Sequence, residues 1–259
     1  MNRHEIRGLA FYTFESLAAH PEVIHGVTTR HGGVSTGHWT SLNLTKGNGD
    51  RPAAVEENLR RTAAALDVPF EDLEHTRVDH HRVLRKGIPE VVFGEGKTLS
   101  QLYDIVGSFR QKDLDVLVTR VDAGTGEALL ARFPEGTYSG DARCFWVRRD
   151  RPAEGKGMVL VMSAGTSDAK VAEEAYVAST FFGNDTERLY DVGVAGIHRL
   201  LGNLPTLRRA RVIIVAAGME GALPSIVAGI VGAPVIAVPT SVGYGASFSG
   251  LTALLAMIN

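Results

Sequence analysis

Residues 157–259 alternate between two kinds of segment. Four apolar runs, "MVLVMSA", "TERLYDV", "RVIIVAA" and "PVIAVP", are each followed by a small-residue loop and a helical pattern. Their spacing of about 25 residues suits successive βαβ units. Near-continuous Val/Ile runs predict parallel strands covered on both faces. Ligands on such sheets bind beyond the carboxyl ends of the strands.

Upstream the rhythm changes. Residues 70–150 are more polar: "VVFG" and "DVLVTRV" predict strands, "TLSQLYDIVGSFRQ" and "GEALLARF" predict helices, and "RFPEGTYSGDARCFWVRRD" contains a further strand. "RRDRPAEGKG" is charged and punctuated by Gly and Pro, as in an exposed linker. Residues 1–68 predict a β-leaning segment followed by one helix. "VIHGVTTRHGGVSTGHWTSLNL" holds short β-branched runs broken by glycine. In "RPAAVEENLRRTAAALDV", Val55, Leu59, Thr62, Ala63 and Leu66 share one helical face and Pro52 stands at the start. The expected segments are 1–68, 70–150 and 153–259. The expected class is α/β: a parallel sheet with helices on both faces, preceded by a small α/β domain and the β-leaning segment.

Composition narrows the function classes. With 44% hydrophobic and 22% charged residues the chain is globular rather than disordered. A net charge of -2 gives no electrostatic case for nucleic acid. No apolar run approaches a bilayer-spanning length, and "MNRHEIRGLAFYTFES" lacks the apolar core of a signal peptide, so no membrane and a cytoplasmic setting are expected. The one cysteine, Cys144, excludes an internal disulfide. It lies in the alternating "ARCFWV" and reads as a buried strand residue. The 29 glycines concentrate where the apolar runs stop.

Four loops carry candidate chemistry. In "SAGTSDAKVAEEA", Gly165, Thr166, Ser167 and Asp168 precede a helix and form a candidate anion site; simple N-capping by Ser167 or Asp168 is the competing reading. In "YDVGVAGIHRLL", Gly193, Ala195 and Gly196 allow close backbone approach, and His198-Arg199 opens the next helix. Arg199 can grip a phosphate, or the pair can be a solvated surface. In "AAGMEGALPS", Gly218, Met219 and Gly221 surround a single carboxylate, Glu220. A poorly solvated Glu220 facing the ligand crevice would have a raised pKa and act as general acid or base, whereas a first-turn glutamate would only complement the helix dipole. "VPTSVGYGASFSG" offers Pro239, Thr240, Ser241, Tyr244 and Gly245, or is a plain glycine-rich connection. All four loops fall on one edge of the expected sheet.

Other patterns fail. "GEGKT" resembles a P-loop, but Val91 stands where the leading glycine belongs. His80-His81 lacks zinc-site spacing, so no metal site is expected.

Residues 70–259 resemble the LarB family, the carboxylase/hydrolase of nickel-pincer nucleotide biosynthesis. The likeness rests on "RVDHHRVLRKGIPEVVFGEGKT", "VLVTRVD", "AGTSDAKVAEEA", "YDVGVAGIHRLL", "AGMEGALPSIVAGIV" and "PVIAVPTSVGYGASFSGLTALLAM". The C-terminal half is similar to PurE, the class I aminoimidazole ribonucleotide carboxylase/mutase, and implies its flavodoxin-like fold. There "GTSD" resembles the phosphate loop and His198-Arg199 the enzyme's His-Arg pair. The likeness implies carboxylation of the pyridinium ring of nicotinic acid adenine dinucleotide and hydrolysis of its phosphoanhydride with release of AMP. It implies CO2 or bicarbonate as co-substrate, no tightly bound cofactor, Mg2+ as a candidate, and a homo-oligomer. Glu220 aligns with the family glutamate that moves protons near the ring. The family's nucleophilic cysteine lies in a Ser-Cys segment just beyond "LLAMIN", past Asn259, and Cys144 does not occupy that position. A chain without it is expected to lack turnover. Two alternatives follow: an aminoimidazole ribonucleotide carboxylase/mutase, and an inactive nucleotide-binding protein. "TTRHGGVSTGHWTSLNL" and "NGDRPAAVEENLRR" resemble the start of the polyphenol-oxidase or laccase-like family, whose members act as purine nucleoside phosphorylases. That family's metal motifs are missing from residues 1–68, which are not expected to carry its activity.

Overall fold

In the computed structural model the chain opens with three antiparallel strands, β1 (Asn2–Ile6), β2 (Leu9–Thr13) and β3 (Val27–Thr28). The structure describes residues 1–6, 8–17, 26–45, 48–65, 70–73, 76–79, 88–149, 155–243 and 247–258. Leu9 and Phe11 are buried with Leu42 and Ala65. Helix α1 (Pro52–Ala65) begins at Pro52, where a missing N–H costs nothing. Ala54, Val55 and Asn58 are buried on it, while Leu59 and Thr62 are half-buried; Leu66 and the side chain of Ala63 lie outside the described residues.

The buried polar Asn58 was not foreseen. Its Oδ1 accepts from the Val34 N–H at 2.7 Å, and its Nδ2 donates to Ser35 Oγ and to the carbonyls of Ser41 and Asn43. One side-chain amide thereby satisfies the loop over residues 34–43, which a buried amide must do. Strands β4 (Phe70–Asp72) and β5 (Arg77–Asp79) form a separate antiparallel pair. Contacts divide the chain into Met1–Ile88 and Pro89–Asn259.

The second unit contains two sheets. The first has the order β6-β7-β9-β8, from β6 (Val91–Phe93), β7 (Val116–Thr119), β8 (Thr137–Ser139) and β9 (Cys144–Val147). Strands β6 and β7 are parallel and the others antiparallel. Helix α2 (Leu99–Gln111) starts at a capping box: Thr98 Oγ1 accepts from the Gln101 N–H, and Gln101 Oε1 accepts from the Thr98 N–H. It buries Leu102, Ile105, Val106 and Phe109, one helical stripe. Helix α3 (Ala123–Arg132) is capped by Asp122, whose Oδ1 accepts from the Thr125 N–H.

The second sheet is the expected parallel one. Strands β10 (Val159–Ser163), β11 (Thr186–Leu189), β12 (Val212–Ala217) and β13 (Val235–Pro239) stand in the order β11-β10-β12-β13. Every neighbouring pair is parallel. Helix α4 (Ala169–Phe181) covers one face through Ala172 and Ala175 against Val161, Ile214 and Ala216. Helices α5 (Ile197–Leu201), α6 (Leu204–Arg209) and α7 (Ala222–Ile230) cover the other. There Leu200, Leu207, Leu223 and Val227 pack on Leu160, Met162, Ile213 and Val215. Burying each such side chain contributes about 1.5–3 kcal/mol. Helix α8 (Leu251–Met257) follows β13.

Helix α4 is covered twice. Its Tyr176, Val177 and Phe181 also pack on Leu117, Cys144 and Trp146 of the first sheet. The layers of this unit therefore run α2/α3, first sheet, α4, second sheet, α5–α7. Among the described residues no helix is long and apolar enough to cross a membrane. Phe248, Leu251, Leu254, Leu255 and Ile258 leave an apolar face exposed around α8.

Candidate functional site

Parallel strands place all four loops at one edge of the second sheet, in the spatial order 190–196, 164–168, 218–221, 240–243. Strand β10 leads through α4 outward to β11, while β12 lies on the other side of β10. The chain thus changes direction between β10 and β12, with the Gly165 and Gly218 loops on either side, the place where ligands of open α/β sheets bind.

Three sets of bonds draw the loops together. Ser163, buried at the end of β10, receives the Asp191 N–H on its Oγ at 3.2 Å and the Val192 N–H on its carbonyl. Asp168 is buried, and its Oδ2 accepts from the Gly165 N–H at 3.0 Å while its Oδ1 accepts from Thr240 Oγ1 at 2.6 Å. The Met219 N–H donates to the Val242 carbonyl at 2.9 Å. Asp168 is therefore committed to holding the loop after β10 against the loop after β13. It is neither a simple helix cap nor a free ligand for an anion.

Gly218 makes the crossing possible. A Cβ there would run into the Val242 carbonyl oxygen and approach Thr240 Oγ1 at 2.6 Å. Gly218→Ala is expected to cost about 1–3 kcal/mol through overpacking, read as a lower urea midpoint. An unchanged midpoint would mean that the loop has room to give.

Thr166 and Ser167 are exposed at the tip of their loop, and Gly165 is half-buried. Gly193 lies against the Ala164 carbonyl, which a Cβ would meet at 2.7 Å. Gly196 is buried, whereas Ala195 and His198 are exposed. Arg199 folds over Gly196, and its Nη1 reaches Asp191 Oδ2 at 2.7 Å. Both partners are well exposed, so the pair is worth about 1 kcal/mol or less and can be exchanged for another anion. Gly221 is buried at φ 64, a left-handed position that glycine takes at little cost, and lies against Ala253. Pro239 and Ser241 are exposed and Thr240 buried. Tyr244 and Gly245 lie outside the described residues.

Glu220 does not have the desolvated setting expected of it. It is exposed, on a turn whose neighbours Met219 and Gly221 both have positive φ. Gly218 lies against Val242 and Gly221 against Ala253, so the flanking glycines serve close backbone packing rather than walls around the carboxylate.

Cys144 is where its alternating strand implied. It is fully buried between the first sheet and α4, and its Sγ–H donates to the Ala142 carbonyl. Burial, with Glu174 adding to it, pushes the thiol up to about 12. Among the described residues no group of three or more His, Cys, Asp and Glu is placed to hold a metal ion. Ser163 and Asp191 were missed; the one available signal was a serine ending an otherwise apolar strand.

Two family models match successive regions: a LarB/PurE-like N-terminal domain over residues 70–149, and AIR carboxylase over residues 158–259. The uncharacterized protein MJ0165 of Methanocaldococcus jannaschii is 33% identical over 201 residues, covering 72% of this chain and 76% of that protein. This chain belongs to the family that joins a LarB/PurE-like N-terminal domain to an AIR carboxylase domain. The N5-carboxyaminoimidazole ribonucleotide mutase of the same organism is 35% identical over 104 residues, which is 39% of this chain and 61% of the mutase. The AIR carboxylase region coincides with the parallel sheet and its loop cluster. Neither family match reaches ahead of residue 70, and the laccase-like resemblance of residues 1–68 falls outside both.

Proposed function

We propose that the loop cluster binds nicotinic acid adenine dinucleotide, or a related nucleotide, and is built to carboxylate its pyridinium ring and hydrolyse its phosphoanhydride with release of AMP. The supporting observation is the gathering of the loops at the change of direction between β10 and β12, tied by the Asp168–Thr240 bond. Thr166, Ser167 and the backbone beside them take a phosphate, with Arg199 turning from Asp191 to join them. Gly218, Met219 and Gly221, with Pro239 and Ser241, surround the ring.

The pyridinium ring is too electron-poor to attack CO2. A thiolate added to it leaves an enamine-like carbon that forms the new C–C bond. Loss of the ring proton to a base and expulsion of the thiolate then restore aromaticity. Glu220, exposed until a ring covers it, is the proposed base, and His198 serves phosphate or proton transfer. Within the 259 residues the one thiol is Cys144, buried and neutral near pH 7. A protein of these residues is therefore proposed to bind its nucleotide without carboxylating it. The exposed face around α8 supports self-association, which light scattering reads directly. The likeness to a ribonucleotide mutase supports carboxylation of aminoimidazole ribonucleotide as a second reading.

Calorimetric titration with nicotinic acid adenine dinucleotide and with aminoimidazole ribonucleotide separates the two readings. Arg199→Ala is expected to weaken binding of the correct nucleotide by about 1.5–3 kcal/mol, the range for a hydrogen bond to a charged group. Asp191→Asn, which releases the guanidinium, should tighten it. Equal affinity in all three proteins would remove Arg199 from the phosphate site.

A further inference from the structure

The carboxyl edges of the two sheets in the second unit face the same way. Arg120, just past the end of β7, pairs at 2.8 Å with Glu174 midway along α4 (Ala169–Phe181). Arg148, beside the beginning of β7 in the antiparallel register, reaches the Thr180 carbonyl near the end of α4 at 3.0 Å. Strand β7 therefore runs antiparallel to α4. Strand β10, which leads into α4 and packs on it, runs antiparallel to α4 as well. So β6 and β7 end on the side where β10–β13 end, with one helix between. Their edges stand about 20 Å apart, two packing distances of roughly 10 Å.

The edge of the first sheet carries groups that its own fold does not use. Phe93 is 53% exposed at the end of β6. It shares a strand face with Val91, which packs in the cluster around α4, so it lies on the face turned toward α4. Lys97 follows in the turn closed by its N–H to the Gly94 carbonyl. The Gly94 N–H donates to the Thr119 carbonyl, and the Val121 N–H to the Arg143 carbonyl, so these three loops are neighbours. Arg143 is exposed at φ 52 and has no ion-pair partner among the described residues. Glycine suits that conformation better, so its side chain is retained against a local backbone penalty.

We propose that this edge is the second half of the nucleotide site: Phe93 stacks the adenine, and Lys97 and Arg143 hold the adenosine-side phosphate. This rests on the dinucleotide reading above. The crevice at β10–β13 takes the pyridine half, and an extended dinucleotide reaches across the start of α4 to the other edge. The first sheet then selects a dinucleotide over a mononucleotide, and it holds the AMP half while the phosphoanhydride is cleaved.

Two probes test this: nicotinic acid adenine dinucleotide and nicotinic acid mononucleotide, titrated into the full chain and into Phe93→Ser and Arg143→Ala. Both side chains are exposed, so the variants keep the fold, which circular dichroism checks. Phe93→Ser is expected to weaken the dinucleotide about tenfold, the scale of one lost base-stacking contact, and Arg143→Ala about tenfold as well, the scale of one lost hydrogen bond to a charged group, with the mononucleotide unchanged. If the unaltered protein binds both probes equally, or if the variants bind the dinucleotide normally, the second subsite is wrong and the crevice reading stands. If it binds neither probe, both readings fall.

Discussion

Asp168→Ala should lower the stability of the parallel-sheet unit by about 1.5–3 kcal/mol, the range for hydrogen bonds to a charged group. The carboxylate is buried, and both of its oxygens are occupied, one by Thr240 Oγ1 and one by the Gly165 N–H. Removing it leaves two buried donors facing a small void. The effect should divide by partner. Thr240→Val keeps the volume and removes one donor, so it should cost less than Asp168→Ala. Asp168→Asn can still accept from Thr240, but its amide would turn a donor toward the Gly165 donor, and an intermediate loss follows. Urea unfolding followed by circular dichroism gives the stabilities. Nucleotide titration should fall with them, because the same bond holds the first and fourth loops over Gly218. Wild-type midpoints in both Asp168 variants would show that the loops are held by backbone packing alone.

The fold was more legible than the site. Strands β10 and β12 are nearly continuous apolar residues, as a sheet covered on both faces requires; β13 reads the same way in sequence but is an edge strand, with Ile236 51% exposed. The β10–β13 spacing then leaves little choice but parallel crossovers. Thr98 and Gln101 form a local capping box whose geometry is contained in four residues. The site is different in kind. Asp168 reads as a cap because its near neighbours are those of a cap, yet its shortest bond goes to a residue 72 positions away. Glu220 reads as a walled acid because glycines flank it, but the glycines serve the backbone below it: Gly218 meets Val242 and Gly221 meets Ala253. Asn58 is a polar residue inside a helix, and only the loop folded over it explains its burial. In each case the deciding partner is remote in the chain.

A protein of these 259 residues, incubated with nicotinic acid adenine dinucleotide and labelled bicarbonate, should bind the nucleotide and yield no dicarboxylated mononucleotide. The loops proposed for phosphate and ring are in place, but the proposed chemistry begins with a thiolate. Glu220 is no substitute, since a carboxylate is a weak nucleophile toward a pyridinium and a good leaving group from it. His198 is exposed on the loop proposed to take phosphate. Cys144 is the remaining candidate, and three observations exclude it. It is fully buried, it lies between the first sheet and α4 rather than at the carboxyl edge, and burial raises its thiol from 9.0 to about 12. At pH 8 the thiolate is then a negligible fraction in the folded state. The same facts predict that iodoacetamide leaves the native protein unmodified at pH 8 and labels Cys144 once urea unfolds it. Mass analysis of the nucleotide and of the protein reads both outcomes. A dicarboxylated product formed at enzymatic rates, and lost in Cys144→Ser, would overturn the assignment and require the first sheet to open over the crevice. The same product retained in Cys144→Ser would mean that ring activation in this protein needs no thiol at all.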